Sequence, residues 1–167
     1  GQKDINWQKI VKEELKDYGI YQKIGNKLLI LRGGEIGLYD YIKHKKEIIY
    51  KEDSENYRIA SALLVDNKIL YINQWDINED YDKYGARLIK YDLESKKKTV
   101  IDNTSSFDVS LAFNKKGDIV YHHTNKNKAD GYEERIYTKS GQMYVYRDNK
   151  VLEVNTNKEV KNIIEDD

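Results

Sequence analysis

Residues 74–85 concentrate oxygen ligands and aromatic rings: Gln74-Trp75-Asp76-Ile77-Asn78-Glu79-Asp80-Tyr81-Asp82-Lys83-Tyr84-Gly85. Asp76, Asn78, Asp80 and Asp82 fall at alternate positions. A hard cation such as Ca²⁺ needs several oxygen ligands, and alternating carboxylates on a tight loop can supply them. These four are the candidate metal ligands, and the simpler reading of the same residues is a solvated acidic loop. Trp75, Tyr81 and Tyr84 belong to the same segment. Aromatic side chains on an exposed loop are costly to leave in water and are common at binding hot spots. They are expected to contact a partner or a ligand, unless they fold back onto a sheet.

A second stretch of this kind runs from His122 to Tyr132. His123 and Tyr132 are the candidate partner contacts there. His122 and His123 are neighbours, so on a strand they point to opposite faces and cannot easily share one metal. One of them could act as a base with Asp130 or Glu133, but spacing alone sets no such pair. The basic runs Lys43-His44-Lys45-Lys46 and Lys96-Lys97-Lys98 fall where hairpin turns are expected, and read as solvated turns. There is no Gly-x-Ser-x-Gly elbow, phosphate loop or His-Glu-x-x-His. Gly33-Gly34 reads as a hairpin turn. No residue is assigned a catalytic role.

The elements that must hold these residues are mostly strands. Only residues 4–18 show helical spacing, with Trp7, Ile10, Val11, Leu15 and Tyr18 on one stripe. Asp4 is the expected N-cap and Gly19 the expected stop. The helix is expected to pack on the β-domain or cover a sheet edge; its alternative role is to bind a partner. Beyond it, runs rich in Tyr, Ile, Val and Leu alternate with Asn, Asp, Gly and Lys clusters. Strands are expected near 20–24, 27–32, 35–42, 46–51, 58–65, 68–74, 86–92, 97–102, 108–113, 118–123, 132–138, 142–147 and 150–154. Asp66-Asn67 is a hairpin-turn pair.

The strands repeat. Glu35-Ile36-Gly37-Leu38-Tyr39-Asp40 aligns with Arg87-Leu88-Ile89-Lys90-Tyr91-Asp92, and less well with Gln142-Met143-Tyr144-Val145-Tyr146-Arg147. Each copy follows a second recurring strand: Lys27–Leu31, Lys68–Ile72 and Asp118–His122. A fixed internal period of this kind decides the whole architecture. The pattern resembles a β-propeller blade, most nearly those of TolB and dipeptidyl-peptidase-like propellers, whose third strand often ends in Tyr-Asp. Tyr39-Asp40 and Tyr91-Asp92 match it and Tyr146-Arg147 departs from it. The acidic loop resembles the first half of an EF-hand-type calcium loop, but Tyr81 stands where that loop wants Gly and Arg87 where it wants Glu. The expected fold is mainly β: three blade-like antiparallel meanders after one N-terminal amphipathic helix. A curled sheet, barrel or sandwich is the alternative. One domain over 1–167 is expected, with helix 4–18, repeat 20–155 and tail 156–167. Three blades leave open edges, which two copies could pair into a homodimeric ring.

Composition narrows the function classes. The 167 residues carry 29 basic and 29 acidic side chains, so no net field attracts nucleic acid or an anionic membrane. Mean hydropathy is −0.85, yet 39% of residues are hydrophobic and clustered, which fits a folded chain with a solvated surface. Cysteine is absent, which removes disulfides, thiol catalysis and Cys-based metal sites. Proline is absent too, although an average chain of this length holds roughly eight. With so much Lys, Asn, Ile and Tyr this fits an AT-rich bacterial genome. No apolar run is long enough to span a bilayer. The chain starts at Gly1, which fits removal of a leader or an added residue. The resulting expectation is a non-enzymatic bacterial interaction protein, extracytoplasmic, with a protein or carbohydrate partner and no nucleic acid. The alternatives are a cytoplasmic immunity-type protein that neutralises a toxin and a carboxylate-dependent hydrolase.

Overall fold

Asn6 opens the helical segment: its side-chain oxygen accepts the Lys9 N–H at 3.1 Å, the bond that caps an N-terminus. The computed structural model describes residues 4–77, 86–102, 112–113, 119–123, 142–147 and 150–153. One short α-turn, α1 (Trp7–Lys9), runs directly into a π-helical turn, Ile10–Glu14. Leu15 N–H donates to Ile10 O at 2.8 Å across five residues. That wider turn corrects the expected stripe. Ile10 and Leu15 are buried at 1% and 2% exposure, whereas Trp7 and Val11 stand 42% and 48% exposed. The cap is Asn6 rather than Asp4. Leu15 already leaves helical geometry, and the chain turns through Asp17 (φ 67°), so Gly19 opens a strand instead of stopping a helix.

The remainder is β. The strands are β1 (Gly19–Ile24), β2 (Lys27–Arg32), β3 (Glu35–Asp40), β4 (Lys45–Lys51), β5 (Tyr57–Val65), β6 (Ile69–Asp76), β7 (Ala86–Asp92), β8 (Lys98–Asp102), β9 (Ala112–Phe113), β10 (Ile119–His123), β11 (Gln142–Arg147) and β12 (Lys150–Glu153). They form three four-stranded antiparallel meanders, β1–β4, β5–β8 and β9–β12, each with neighbours in sequence order. Among the described residues no sheet closes into a barrel. The chain forms two compact units, residues 1–54 with the first meander and residues 55–167 with the other two. The expected strand 132–138 and the tail 156–167 lie outside the described residues.

Turn chemistry fixes the registers. Gly25 and Gly33 take the left-handed φ of 60° at the β1–β2 and β2–β3 turns. Asp66 and Asn67 do so at 52° and 55°, and Lys68 N–H donates to Val65 O at 2.9 Å, the pattern of a type I′ hairpin. The first two meanders also share an irregularity. A register shift falls between Ile36 and Gly37 against β4, and between Leu88 and Ile89 against β8. These are the same position of the repeat. The structure corrects the repeat by one residue elsewhere: Leu28 faces Tyr39 and Leu70 faces Tyr91, so Leu28 matches Leu70, not Ile69. A one-residue slip exchanges the faces of a strand, and the cross-strand partners select the structural alignment.

The central strands are buried along nearly their whole length. Leu28 to Leu31 and Leu70 to Gln74 are all buried. In the first unit Ile10 and Leu15 pack with Leu28, Ile30, Tyr39 and Tyr41, so the helical segment lies on the sheet as expected. Tyr18 is clamped at its exit: the Arg32 guanidinium sits 4.1 Å and the Lys46 ammonium 4.8 Å from its ring centroid. In the second unit Leu63, Tyr71, Leu88 and Ile101 form the core, and Tyr146 of the third meander meets Tyr71 at 6.0 Å, edge to face. Burying a branched apolar side chain stabilises by about 1.5–3 kcal/mol.

The π-turn makes a test. Ile10→Ala should destabilise the first unit by about 2–5 kcal/mol, while Val11→Ala should change stability by less than about 0.5 kcal/mol. Denaturant unfolding of both variants checks this; equal losses would point to a regular α-helix with the stripe intact.

Candidate functional site

The turn after β3 is built by Asp40. Its Oδ1 accepts the N–H groups of Ile42 at 3.0 Å and Lys43 at 2.9 Å. Asn26 Nδ2 donates to both carboxylate oxygens at 3.3 and 3.2 Å, and Asn26 O accepts the Tyr41 N–H at 3.2 Å. An Asp side chain that replaces the next backbone partners in this way fixes a tight turn. The turn ends at His44, whose φ of 57° is left-handed. Asp92 repeats the arrangement: it accepts from Glu94 at 2.9 Å and Ser95 at 3.1 Å, and Lys96, four residues on, has φ 61°. This is the physical content of the Tyr-Asp repeat. The third meander, with Arg147 facing Lys150 across residues 148–149, uses a shorter link.

The first of these turns faces the helical segment across a cleft of about 540 Å³. Asn6, Ile10 and Glu14 line one side; Tyr41, Ile42 and His44 line the other. Tyr41 is held on both ends: its hydroxyl donates to Gly25 O at 3.1 Å and its ring meets Trp7 at 4.9 Å. Within the cleft, His44 Nδ1 lies 2.9 Å from Glu14 Oε1 and 3.2 Å from Oε2. Tyr39 Oη lies 3.2 Å from the same nitrogen and also bonds Glu14. Nδ1 has one hydrogen at most. The arrangement that satisfies all three groups has Nδ1–H and the Tyr39 hydroxyl both donating to the carboxylate. Nε2 is then the acceptor, on a side chain 56% exposed.

Partial burial by itself raises the Glu14 carboxyl, but the hydrogen bonds from Tyr39 and His44, together with the attraction of His44 and Lys9, hold Glu14 below the usual carboxylate range. Burial, and then the bond to Glu14, push the Tyr39 hydroxyl far above its ordinary value, so it stays protonated. The backbone N–H of Lys43 and then that of Ile42 hold Asp40 low, against burial. An imidazole oriented through Nδ1 by a carboxylate has Nε2 left to bond a ligand. Sequence reasoning passed over it. His44 sat within a basic turn, and Glu14 is thirty residues away in the chain. The only signal was the Tyr-Asp pair, which marks the turn but not what faces it.

The residues singled out in the sequence lie in the other unit. Gln74, Trp75 and Asp76 belong to β6 rather than to a loop, so the connection starts at Ile77. Trp75 faces Arg58 and Ala86 across the sheet, and Asp76 faces Tyr57. His123 ends β10 opposite Gln142 in the third meander, so Trp75 and His123 are on different sheets. Asn78, Asp80, Tyr81, Asp82, Tyr84 and Tyr132 lie outside the described residues. Among the described residues no three His, Cys, Asp or Glu side chains gather in a metal-binding group. No described helix is long and apolar enough to cross a membrane.

No protein-family profile matches the chain, and no curated protein matches it. Among solved structures it is similar to the crystal structure of the tricorn protease, at 17% identity and a TM-score of 0.47. The likeness covers 84% of this chain and 12% of that one, so this chain spans about an eighth of the chain it matches.

Acid should unfold the protein through these carboxylates. Glu14, Asp40 and Asp92 are held low in the fold, so they release protons more readily folded than unfolded. Their stabilisation is complete above the unfolded values of about 4 and is lost as pH falls through the folded ones. Tm should be level from neutrality to about pH 5 and fall below about pH 4. In Asp40→Asn the Tm at neutral pH should be lower and the acid fall shallower. A Tm difference between Asp40→Asn and the parent that is constant across the range would contradict this assignment.

Proposed function

We propose that the chain is a non-enzymatic interaction module whose three meanders are propeller-type blades. Support for the blades comes from the register shift at the same repeat position in the first two meanders and from the Asp turn that both share. Single blades are binding scaffolds only in sets, and a partner copy joining at the open edges would complete such a set.

One observation carries the binding reading. Ile42 lines the cleft and Trp7 packs on its Tyr41, and the two are 47% and 42% exposed, while Ile10 and Tyr41 of the same cleft are buried. Apolar exposure of this size, grouped around a concave site with a few polar groups inside, is what a partner-binding surface has. Glu14 and His44 would supply directed hydrogen bonds to a protein or carbohydrate partner. Trp75, Tyr81, Tyr84, His123 and Tyr132 are proposed as further contacts of the same module. Asp76, Asn78, Asp80 and Asp82 are proposed to hold Ca²⁺ where it binds.

The test is a screen of displayed peptides and arrayed glycans against the chain, with Trp7→Ser/Ile42→Ser as the comparison. Ligands that select the parent should lose about tenfold or more in affinity for the variant, near 1.4 kcal/mol. Trp7 also packs on Tyr41, so the unfolding midpoint of the variant is measured alongside and affinities are compared where both proteins are folded. Ligands that bind parent and variant alike would remove this surface from the reading.

A further inference from the structure

Arg87 in β7 is oriented by two contacts at once. Its guanidinium lies 3.7 Å from the centroid of the Tyr57 ring, and its Nε donates to Gln74 Oε1 at 2.7 Å. Stacking fixes the plane of the guanidinium. The Nε bond fixes its rotation within that plane. Gln74 is itself fully buried, at 0% exposure, so it cannot follow the arginine into solvent. The end-on pair, Nη1 and Nη2, is left over. Among the described residues no group accepts from either nitrogen.

Two comparisons within the chain show that this is not simply how the fold is held. Arg32 is also stacked on a tyrosine, 4.1 Å from the Tyr18 ring, but its Nη1 donates to Lys16 O at 3.3 Å and so pins the chain. Position 87 of the repeat is occupied in the first meander by Glu35, which pairs with Lys51 at 3.6 Å. The β-meander therefore does not require an arginine there.

We propose that Arg87, stacked on Tyr57 and oriented by Gln74, binds a carboxylate through Nη1 and Nη2. The two nitrogens present parallel N–H bonds at the spacing of the two oxygens of a carboxylate, and prior orientation lowers the entropy lost on binding. A small organic acid and the acidic side chain of a partner offer the same chemistry. The site is in a different unit from the cleft and stands whether or not the cleft binds anything.

The experiment follows arginine Nε–Hε signals by NMR while the whole chain is titrated with succinate, and separately with an acetylated tetraglutamate peptide. Sodium chloride at matched ionic strength is the control. The Arg87 signal, identified by its loss in Arg87→Lys, should shift and saturate. Arg87→Lys keeps the charge but lacks the fork, and binding to it, read from backbone amides, should be about tenfold weaker or worse. Tyr57→Leu should weaken binding in the same direction. Saturation by succinate identifies a small-acid site, and saturation by the peptide alone identifies an acidic partner. Equal binding to Arg87→Lys overturns the proposal, as does a shift matched by sodium chloride. A third overturning result is an Arg87 signal that moves, without any probe, in a variant with Asp76, Glu79, Asp80 and Asp82 neutralised, since the fork would then belong to the chain's own acidic segment.

Discussion

The Asp40 carboxylate accepts two successive backbone N–H groups and two contacts from Asn26, and much of the first unit depends on it. It ends β3, sets the path to β4 and places Tyr41, Ile42 and His44 on one wall of the cleft. Asp40 is buried, so its charge is tolerable only because the turn supplies donors to it. The same device recurs at Asp92, with Lys96 in the left-handed region where His44 stands in the first copy. The turn is therefore a property of the repeat. What it carries differs from copy to copy.

The strands were largely legible because alternation, turn residues and the repeat agree with one another. Val65-Asp66-Asn67-Lys68 forms the hairpin that its Asp-Asn pair predicts, and the Tyr-Asp motif marks a real turn. The one-residue error in matching β2 with β6 has a clear cause. Both strands are apolar at nearly every position, so hydrophobicity alone holds no register. Only the cross-strand partners decide it, and those depend on the tyrosines of β3 and β7.

The helical segment and the cleft were less legible, for a different reason. A stripe at positions 7, 10, 11, 15 and 18 fits a regular α-helix, and no local residue announces the π-turn. The turn is selected by burial: it stacks Ile10 and Leu15 on the sheet and leaves Trp7 and Val11 outside. The polar pair within the cleft is a long-range contact between Glu14 and a histidine that looked like part of a basic turn. Contacts of that sort carry no spacing signal, because neither residue has a neighbour in sequence that needs the other.

Comparison of the first two copies separates scaffold from chemistry. Where the repeat agrees, as at Ile36 with Leu88 and Asp40 with Asp92, the residues are buried or make turns. Where it disagrees, side chains with directed polar groups are found. His44 bonds Glu14 in the first copy, whereas Lys96 holds the same left-handed position in the second. Glu35 is paired with Lys51, whereas Arg87 at the same position is stacked on Tyr57 and bonded through Nε to Gln74. A repeated backbone is stable when each copy keeps its turns and core, and those demands fall on the matched positions. The unmatched ones are free to vary without loss of fold. Recognition built on such a scaffold has to be carried there, which is why the cleft of the first copy and the arginine of the second differ in chemistry although they stand on the same strand pattern.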